Sequence, residues 1–333
     1  MRLAHRQAIS AAATVAAALA LTIAPAVHAG PPAPPTEGWA SWEVPAAPEV
    51  PAWCCFDGWK GDSSVSTCQL DGPNVGFNSR DREDKAGSLR VYARFEAGKL
   101  GKLRTLAAAC PVKAESAIRN LTGVSTDDSV KWLAGQLSTG ARSHLSSSLI
   151  GAIAAHQGIT ARDTVAAIAK SDGEIKNRKD AIFWLTQVRG AEGFDLALPY
   201  LFDDADAKIR KHTAFALTQS HAKSAAPFLI RAASGDREGE VRAQAWFWLA
   251  QSKAAETESA VRAGLARESD KHVREQMVFA LSQLPADRSA RALIGLAENQ
   301  SLPREERKKA IFWLSQLKSD QAIQYLDKVL AAR

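Results

Sequence analysis

The sequence predicts a mainly α-helical fold: a right-handed α-solenoid of about six helix pairs plus a terminal helix, preceded by a small disulfide-containing β-hairpin cap. Three observations support this prediction. A five-residue pattern, Phe-(Trp or Ala)-Leu-x-Gln, occurs five times in the second half of the 333-residue chain. An earlier segment alternates apolar and polar residues with the period of a β-strand. All four cysteines precede the first copy of the pattern.

The spacing of the pattern indicates a repeat array. The closing glutamines lie at 187, 219, 251, 283 and 316, so successive copies are 32, 32, 32 and 33 residues apart. A constant period of this length is typical of stacked helix pairs. The residues before each Gln are mostly apolar, which predicts a helix covered on several sides. We predict that the opening phenylalanines form a row in the hydrophobic core: Phe183, Phe215, Phe247, Phe279 and Phe312.

The residue after each phenylalanine alternates between large and small. These residues are Trp184, Ala216, Trp248, Ala280 and Trp313. The alternation predicts that neighbouring units interdigitate, with each indole lying over the alanine of the next unit.

Two polar columns accompany each copy. An arginine lies five residues before each phenylalanine, and an acidic residue lies eleven before it in four copies, with Ser301 in the fifth. We predict that the acid caps the following helix and pairs with the arginine of its own or the next unit, which keeps the turns in register. The glutamine column satisfies free carbonyls at helix ends in one interpretation, and forms a polar ridge for a bound peptide in another.

These columns resemble the HEAT repeat, in particular the short HEAT-like repeats named after the phycobilisome lyases. The resemblance rests on a turn acid followed by Ile-Arg or Val-Arg, as in Asp204 with Ile209-Arg210, and covers about residues 126–333. It implies an α-solenoid and is almost silent on function. HEAT-like hydroxylases hold iron with His-Glu pairs, but this chain has no His-Glu dipeptide.

Residues 1–29 are predicted to be a secretory signal peptide. Arg2 and Arg6 form its basic region, residues 8–23 its apolar stretch, and Val27-His28-Ala29 a cleavage site. An uncleaved anchor is the alternative; no later stretch is apolar enough to span a bilayer. The net charge after cleavage is +6 − 2 = +4, since the segment carries two arginines and no acid. This mild, dispersed charge does not predict a nucleic-acid partner.

Residues 30–52 are predicted to be an extended linker, because seven prolines occur there. Trp39 and Trp42 lie within this stretch, and Trp53 and Trp59 follow it. In one interpretation these indoles pack on the next domain. In the other they form an exposed aromatic ligand for a partner or a cell-envelope polymer.

Residues 53–124 are predicted to form a small cap that covers the open end of the solenoid, which occupies residues 125–333. Residues 89–95 and 100–106 fit the two strands of a hairpin. Cys54, Cys55, Cys68 and Cys110 predict two disulfides in an exported chain. Cys54 and Cys55 are adjacent, so each is expected to pair with Cys68 or Cys110, and both connectivities remain open. A four-thiolate metal site is the disfavoured alternative, because no C-x-x-C spacing is present.

The sequence contains no recognisable catalytic motif. We therefore predict a non-enzymatic, exported bacterial scaffold, periplasmic or secreted, with no cofactor and no metal. A partner protein or extended peptide is expected on the concave face. The alternatives are an enzyme or enzyme subunit, lyase-like or acting through the cysteine region, and an envelope-anchoring module. The predicted contact residues begin each inner helix: Lys179, Asp180, Lys211, His212, Gln244, Glu275, Gln276, Lys308 and Lys309.

Overall fold

A computed structural model describes residues 35–55, 67–72, 84–139 and 144–331. The predicted signal peptide and the first residues of the predicted linker lie outside these ranges. Within them the chain forms an N-terminal sheet domain followed by helices that continue to residue 331. The strands are β1 (Gly38–Pro45), β2 (Cys68–Gln69), β3 (Ser88–Glu96), β4 (Lys99–Ala107), β5 (Val112–Lys113) and β6 (Ile118–Asn120).

The helices are α1 (Thr126–Ser138), α2 (Ser146–Ala155), α3 (Ile159–Ser171), α4 (Ile175–Val188), α5 (Gly190–Ala197), α6 (Pro199–Phe202), α7 (Ala207–Thr218), α8 (Ala226–Gly235), α9 (Gly239–Gln251), α10 (Thr257–Leu265), α11 (Lys271–Ser282), α12 (Ala286–Glu298), α13 (Arg304–Ser315) and α14 (Asp320–Ala331). They form six helix pairs and a terminal helix, with α5 and α6 together serving as one outer helix. The mainly α prediction with a β-hairpin cap is confirmed.

Helices α4, α7, α9, α11 and α13 carry the repeated pattern, and we call them the inner helices. Successive inner helices pack against one another along the whole row, whereas consecutive outer helices from α3 to α12 touch much less. The more closely spaced layer is the inside of a curved stack. The inner helices therefore line the concave side.

The core of the solenoid comes from the leucine of each pattern and from the residues one turn before it. In α4, for example, Ala181, Ile182 and Leu185 are fully buried. Ala181 and Ile182 lie four and three residues before Leu185, so the three side chains share one helix face. The five pattern leucines are buried throughout the array: Leu185, Leu217, Leu249, Leu281 and Leu314.

A ladder of ion pairs links consecutive turns. Arg178 pairs with Asp204, and Arg210 pairs with Asp236 at 2.8 Å. The predicted column thus joins these arginines to the acid of the following unit. The guanidinium also donates to a backbone carbonyl near its own turn, which for Arg210 is the carbonyl of Asp204. The same rung recurs at Arg242 and Glu268. These side chains are mostly buried, so the ladder is part of the packed interior.

The linker prediction for residues 30–52 is wrong where the structure describes them as a strand. Strand β1 pairs antiparallel with β3 and parallel with β6, so it is an interior strand of a sheet ordered β4-β3-β1-β6. Trp39 and Trp42 are each 1% exposed. The strand begins at Gly38 and ends at Pro45, so its interior contains no proline, and the sheet supplies the core that an isolated proline-rich segment lacks.

The predicted hairpin is formed by β3 and β4, which pair across a two-residue turn at Ala97-Gly98. Both turn residues have positive φ, 51° and 73°, as a tight antiparallel hairpin requires. Ala97 adopts this conformation despite its Cβ, and its N–H is bound by the Glu37 carboxylate at 2.7 Å.

The structure selects one of the two disulfide connectivities. Cys54 pairs with Cys110 and Cys55 with Cys68, with Cα–Cα distances of 5.4 and 5.0 Å. The two bonds lie against each other, because the Cys68 and Cys110 sulfurs are 3.5 Å apart. They form a second small core with Trp39. The disulfides thus join the segment that follows β1 to β2 and to the residues between β4 and β5.

A buried hydrogen-bond chain joins the cap to the solenoid. The Trp42 indole N–H donates to Ser129 Oγ at 2.7 Å, and Ser129 bonds His156 Nε2 at 2.7 Å. His156 Nδ1 then bonds the carbonyl of Ala152 at 2.6 Å. One placement of the protons satisfies all three hydrogen bonds: His156 donates from Nδ1, and the Ser129 hydroxyl donates to Nε2. Sheet and solenoid therefore share one continuous core.

Helix α14 ends the described array. The outer face of α14 is only partly polar, because Ile323 and Leu330 are 54% and 66% exposed among the charged and amide side chains. Along the part of the chain that the structure describes, every helix is too short or too polar to cross a membrane.

Candidate functional site

A continuous row of aromatic rings runs along the inner helices. We call it the aromatic track and define it by eight residues, listed in spatial order: Trp184, Phe183, Phe215, Trp248, Phe247, Phe279, Trp313 and Phe312. Neighbouring ring centroids along the row are between 4.8 and 6.1 Å apart. Along the row, an edge-to-face pair within a unit is followed by one stacked and one tilted pair between units, and all three are favourable geometries for aromatic rings.

The track is a surface feature, so the prediction that the five phenylalanines form the core is wrong. Phe183, Phe215, Phe247 and Phe279 are half-buried, and Phe312 is 52% exposed. They do lie in a row, as predicted, but beside the core and not within it. Each aromatic ring is supported by its neighbours and leaves part of its surface on the concave side.

Two tryptophans of the pattern contact phenylalanines of neighbouring units. Trp248 packs on Phe215 of the preceding unit at 4.8 Å, and Trp313 packs on Phe279 in the same way at 5.0 Å. Where the following residue is alanine, as after Phe215, the two phenylalanines stack instead: the rings of Phe183 and Phe215 are within 8° of parallel. The alternation of tryptophan and alanine after the phenylalanines therefore determines whether two consecutive units meet through a Trp–Phe contact or a Phe–Phe contact.

The predicted contact residues border the track on the side of the helix N-termini. Several of them form ion pairs between units: Lys211 with Glu240 at 3.6 Å, and Lys309 with Glu275 at 3.5 Å. Asp180 pairs within its own helix with Lys176. The charges on this border are therefore largely compensated along the central and C-terminal units.

His212 has a structural role that the sequence did not predict. Its Nε2 donates to the carbonyl of Lys179 at 2.9 Å, and its ring contacts Phe215 edge-on. Burial lowers the pKa of this imidazole from its usual value, although the bond to Lys179 opposes the shift. His212 is therefore a neutral link between adjacent helices beneath the track.

Amide side chains border the track on both sides. Gln244 and Gln276 lie three residues before Phe247 and Phe279, half-buried, and the described residues offer neither amide a hydrogen-bond partner. On the other border, Gln187 donates to the carbonyl of Gln219 at 3.3 Å, as the carbonyl-satisfying interpretation requires. Gln283 instead donates to the neighbouring Ser282 hydroxyl at 3.0 Å. Within the glutamine column, Gln187 therefore satisfies a backbone carbonyl, whereas Gln283 bonds a side chain of its own helix end.

A cavity of about 300 Å³ lies where the track meets the cap. Trp53 of the cap contacts Trp184 edge-on, with ring centroids 5.6 Å apart, and both indoles line the cavity together with Leu103. Gly151 makes room for the indole, since a Cβ at this position would lie 2.7 Å from the Trp184 ring. The track therefore begins in a recess of mixed apolar and polar lining that cap and solenoid form jointly.

One sequence signal could have revealed the exposure of the phenylalanine column. The residues three and four positions away share its helix face, and around Phe215 these are Lys211, His212, Thr218 and Gln219. A core position has mostly apolar neighbours at these spacings, as Leu185 does with Ala181, Ile182 and Val188. The polar neighbours therefore place each phenylalanine at the boundary between core and solvent.

The fold and the concave track define the class of this protein as a capped α-solenoid with an aromatic inner surface. The family model described as HEAT repeats matches residues 194–282 and 226–312. Residues 194–312 of the chain are accordingly HEAT repeats, and this match spans α5 to α13. A search of curated proteins found no match to the chain.

Proposed function

We propose that this protein is a non-enzymatic scaffold that binds a partner protein or an extended peptide along the concave face of its solenoid. The observation that carries the proposal is the aromatic track. Partly exposed aromatic residues in a contiguous row are typical of interaction surfaces. HEAT-repeat solenoids commonly use their concave side in this way.

We also propose that the protein is exported, to the periplasm or outside a bacterium. The predicted signal peptide supports export. The four cysteines form two disulfides, and such bonds persist mainly in oxidising compartments. The envelope-anchoring alternative loses its main support, because Trp39, Trp42 and Trp53 are buried in the cap. The cysteine-dependent enzyme alternative would require thiols that the paired cysteines do not supply.

The experiment compares capture of envelope proteins by the wild-type chain, by Phe247→Ser and by Phe228→Ser. Phe228 is a matched control, because it is also half-buried but lies on the outer helix α8 against Phe194. We expect a partner that is lost with Phe247→Ser and retained with Phe228→Ser, at several salt concentrations. Equal capture by all three chains would contradict a site on the concave face.

A further inference from the structure

We propose that the recess between cap and solenoid is a binding site for one neutral sugar ring, a pyranose. This site is separate from the partner surface proposed above and does not depend on it. The recess is the cavity of about 300 Å³ that lies where the aromatic track meets the cap. Three of its features support the proposal: the aromatic walls, the polar groups that have no partner, and the lack of charged groups facing them.

Two indoles form the apolar walls of the recess. The ring centroids of Trp53 and Trp184 are 5.6 Å apart and the ring planes are 70° apart, so the two rings form adjacent sides of a corner. Leu103 of β4 and the bare backbone of Gly151 in α2 extend these walls. An indole offers a broad, flat apolar surface. A pyranose has a matching face, because one side of its ring carries mainly C–H groups.

Thr105 brings an unsatisfied hydroxyl to the recess. The residue is 8% exposed, and its Oγ1 is buried with no hydrogen-bond partner among the described residues. Leu103 and Thr105 lie two residues apart on β4, so both side chains point to the face of the sheet that packs on α2. Rotation about χ1 exchanges the hydroxyl of Thr105 with its methyl group, which lets the hydroxyl reach a bound molecule. A ligand hydroxyl would therefore remove the cost of an unpaired buried group.

Three further polar groups line the recess without a partner in the described ranges. Ser147 and Ser148 lie one turn before Gly151, so they share the face of α2 that lines the recess. The Nε1 of the half-buried Trp184 lies beside Gly151, 2.9 Å from the position that a Cβ there would take. A hydroxyl donates and accepts, whereas an indole N–H only donates. Together with Thr105, the recess offers three hydroxyls and one N–H.

The recess does not suit a charged ligand. Among the described residues that line it, only Arg104 and His144 can carry a charge. Arg104 lies between Leu103 and Thr105 on β4, so its side chain points to the opposite face of the strand, where Nη2 donates to the carbonyl of Gly72 at 3.2 Å. His144 is exposed at the rim. A charge placed in the recess would lack the opposite charge that burial requires.

These features favour a sugar over an aromatic side chain of a partner. An aromatic side chain would fill the corner between the indoles, but it carries at most one polar group and leaves most polar groups of the recess unpaired. A pyranose carries hydroxyls around its rim, and each of them donates and accepts. Small-molecule sites have volumes of about 300–1,000 Å³, so a cavity at the lower limit holds one ring and not a chain of rings.

An NMR titration of the whole oxidised chain tests the ligand class. The probes are the methyl glycosides of glucose, galactose, mannose and N-acetylglucosamine. We expect at least one to bind with a Kd of about 10 mM or lower, because a single small ring makes few contacts. The uronate of the same sugar, which carries a carboxylate, should bind at least about fivefold more weakly. If no glycoside binds at about 50 mM, or if N-acetyltyrosinamide binds more tightly than all four, the sugar site is wrong.

Variants test whether the recess is the site. Thr105→Val keeps the shape of the side chain, so it should fold normally and weaken binding of the selected glycoside about fivefold or more. Thr213→Val is the matched control, because Thr213 is also buried but its hydroxyl donates to the carbonyl of Ile209 in α7. Trp184→Phe removes the indole N–H and should also weaken binding. Melting curves check each fold, and unchanged binding by both recess variants would rule out this site.

One variant separates the sugar site from the partner surface. Phe247→Ser should abolish capture of the envelope partner and leave glycoside binding unchanged within about twofold. If Phe247→Ser also abolishes glycoside binding while its melting curve is normal, the sugar does not bind in the recess. If the glycosides fail to bind but capture still depends on Phe247, the scaffold function stands and only the sugar site is overturned.

An oligosaccharide of the same sugar identifies the source of the ring. Binding tighter than that of the methyl glycoside indicates the end of a polysaccharide, and weaker binding indicates a free monosaccharide. In either case Thr105→Val should weaken binding of both probes. An oligosaccharide that binds equally well to Thr105→Val and to the wild-type chain would contradict a ring in the recess.

Discussion

The guanidinium of Arg210 binds both carboxylate oxygens of Asp236 in the turn of the next repeat, at 2.8 and 3.0 Å. Arg210 is 1% exposed, and its third nitrogen donates to the carbonyl of Asp204 in its own turn. One side chain thus links the turns of two consecutive units. The bond to Asp236 raises the pKa of this arginine, so the charged form is favoured in the fold.

The first prediction concerns this pair. Arg210→Met should lower the free energy of unfolding by about 3–5 kcal/mol, because it leaves the Asp236 carboxylate buried without its cation. Adding Asp236→Leu should recover part of the loss. The exposed pair Lys308–Glu305 is the control, and Lys308→Met should cost less than about 1 kcal/mol. Urea unfolding measures these three variants and Asp236→Leu alone, and a double variant as unstable as the sum of the two single changes would contradict the coupling.

The second prediction separates two adjacent tryptophans in α9. Trp246 is 1% exposed, so Trp246→Ala should cost about 3–5 kcal/mol of stability through the cavity it leaves. Trp248 is half-buried on the track, so Trp248→Ala should cost about 2 kcal/mol or less while weakening ligand binding. Thermal melting together with capture of the envelope partner measures both effects. A larger destabilisation from Trp248→Ala would contradict the placement of the track outside the core.

The third prediction is a pH dependence from His156. Burial lowers the pKa of this imidazole from 6.5 to about 4, opposed by its bond to Ala152 and assisted by the charge of Arg189. The neutral form is required in the fold, so its stabilisation is complete above pH 6.5 and is lost as pH falls towards 4. Between pH 7 and 5.5 the protein should lose about 1 kcal/mol of unfolding free energy from this group alone.

Urea unfolding at a series of pH values measures this loss. His156→Gln provides the control, because glutamine does not titrate, and its slope between pH 7 and 5.5 should be shallower whatever its absolute stability. If the unfolding free energy of the wild-type protein and of His156→Gln changes equally with pH, His156 does not titrate differently in the folded and unfolded states.

The fourth prediction compares two helical glycines. A Cβ on Gly193 in α5 would lie 1.9 Å from the carbonyl oxygen of Leu185, so Gly193→Ala should cost about 1–3 kcal/mol by forcing α5 away from α4. A Cβ on Gly295 in α12 would meet only the flexible end of Arg262 at 3.3 Å. Gly295→Ala should therefore stabilise by up to about 1 kcal/mol through helix propensity. Opposite shifts in melting temperature are expected, and equal shifts would contradict the close packing.

Much of the architecture could be predicted because its signals are local and periodic. The 32-residue period placed the inner helices, and the alternation in residues 89–95 placed β3. The burial of Trp39 and Trp42 was one of two interpretations, and the sequence did not select it, because the strand that contains them looks like a proline-rich linker until β3 and β6 pair with it. The exposure of Phe312 was misjudged, since an apolar run was taken as core without weighing its polar neighbours.

The sequence by itself determined the repeat, the helix pairs, the hairpin and the spacing of the arginine and acid columns, because each depends on residues close together in the chain. Only the tertiary structure decided that Cys54 pairs with Cys110, that Arg210 pairs with the acid of the following unit, and that the phenylalanines form a surface row. These outcomes depend on which distant segments meet. A local pattern restricts which contacts between distant segments can form. The packing of whole helices and strands then selects among those contacts.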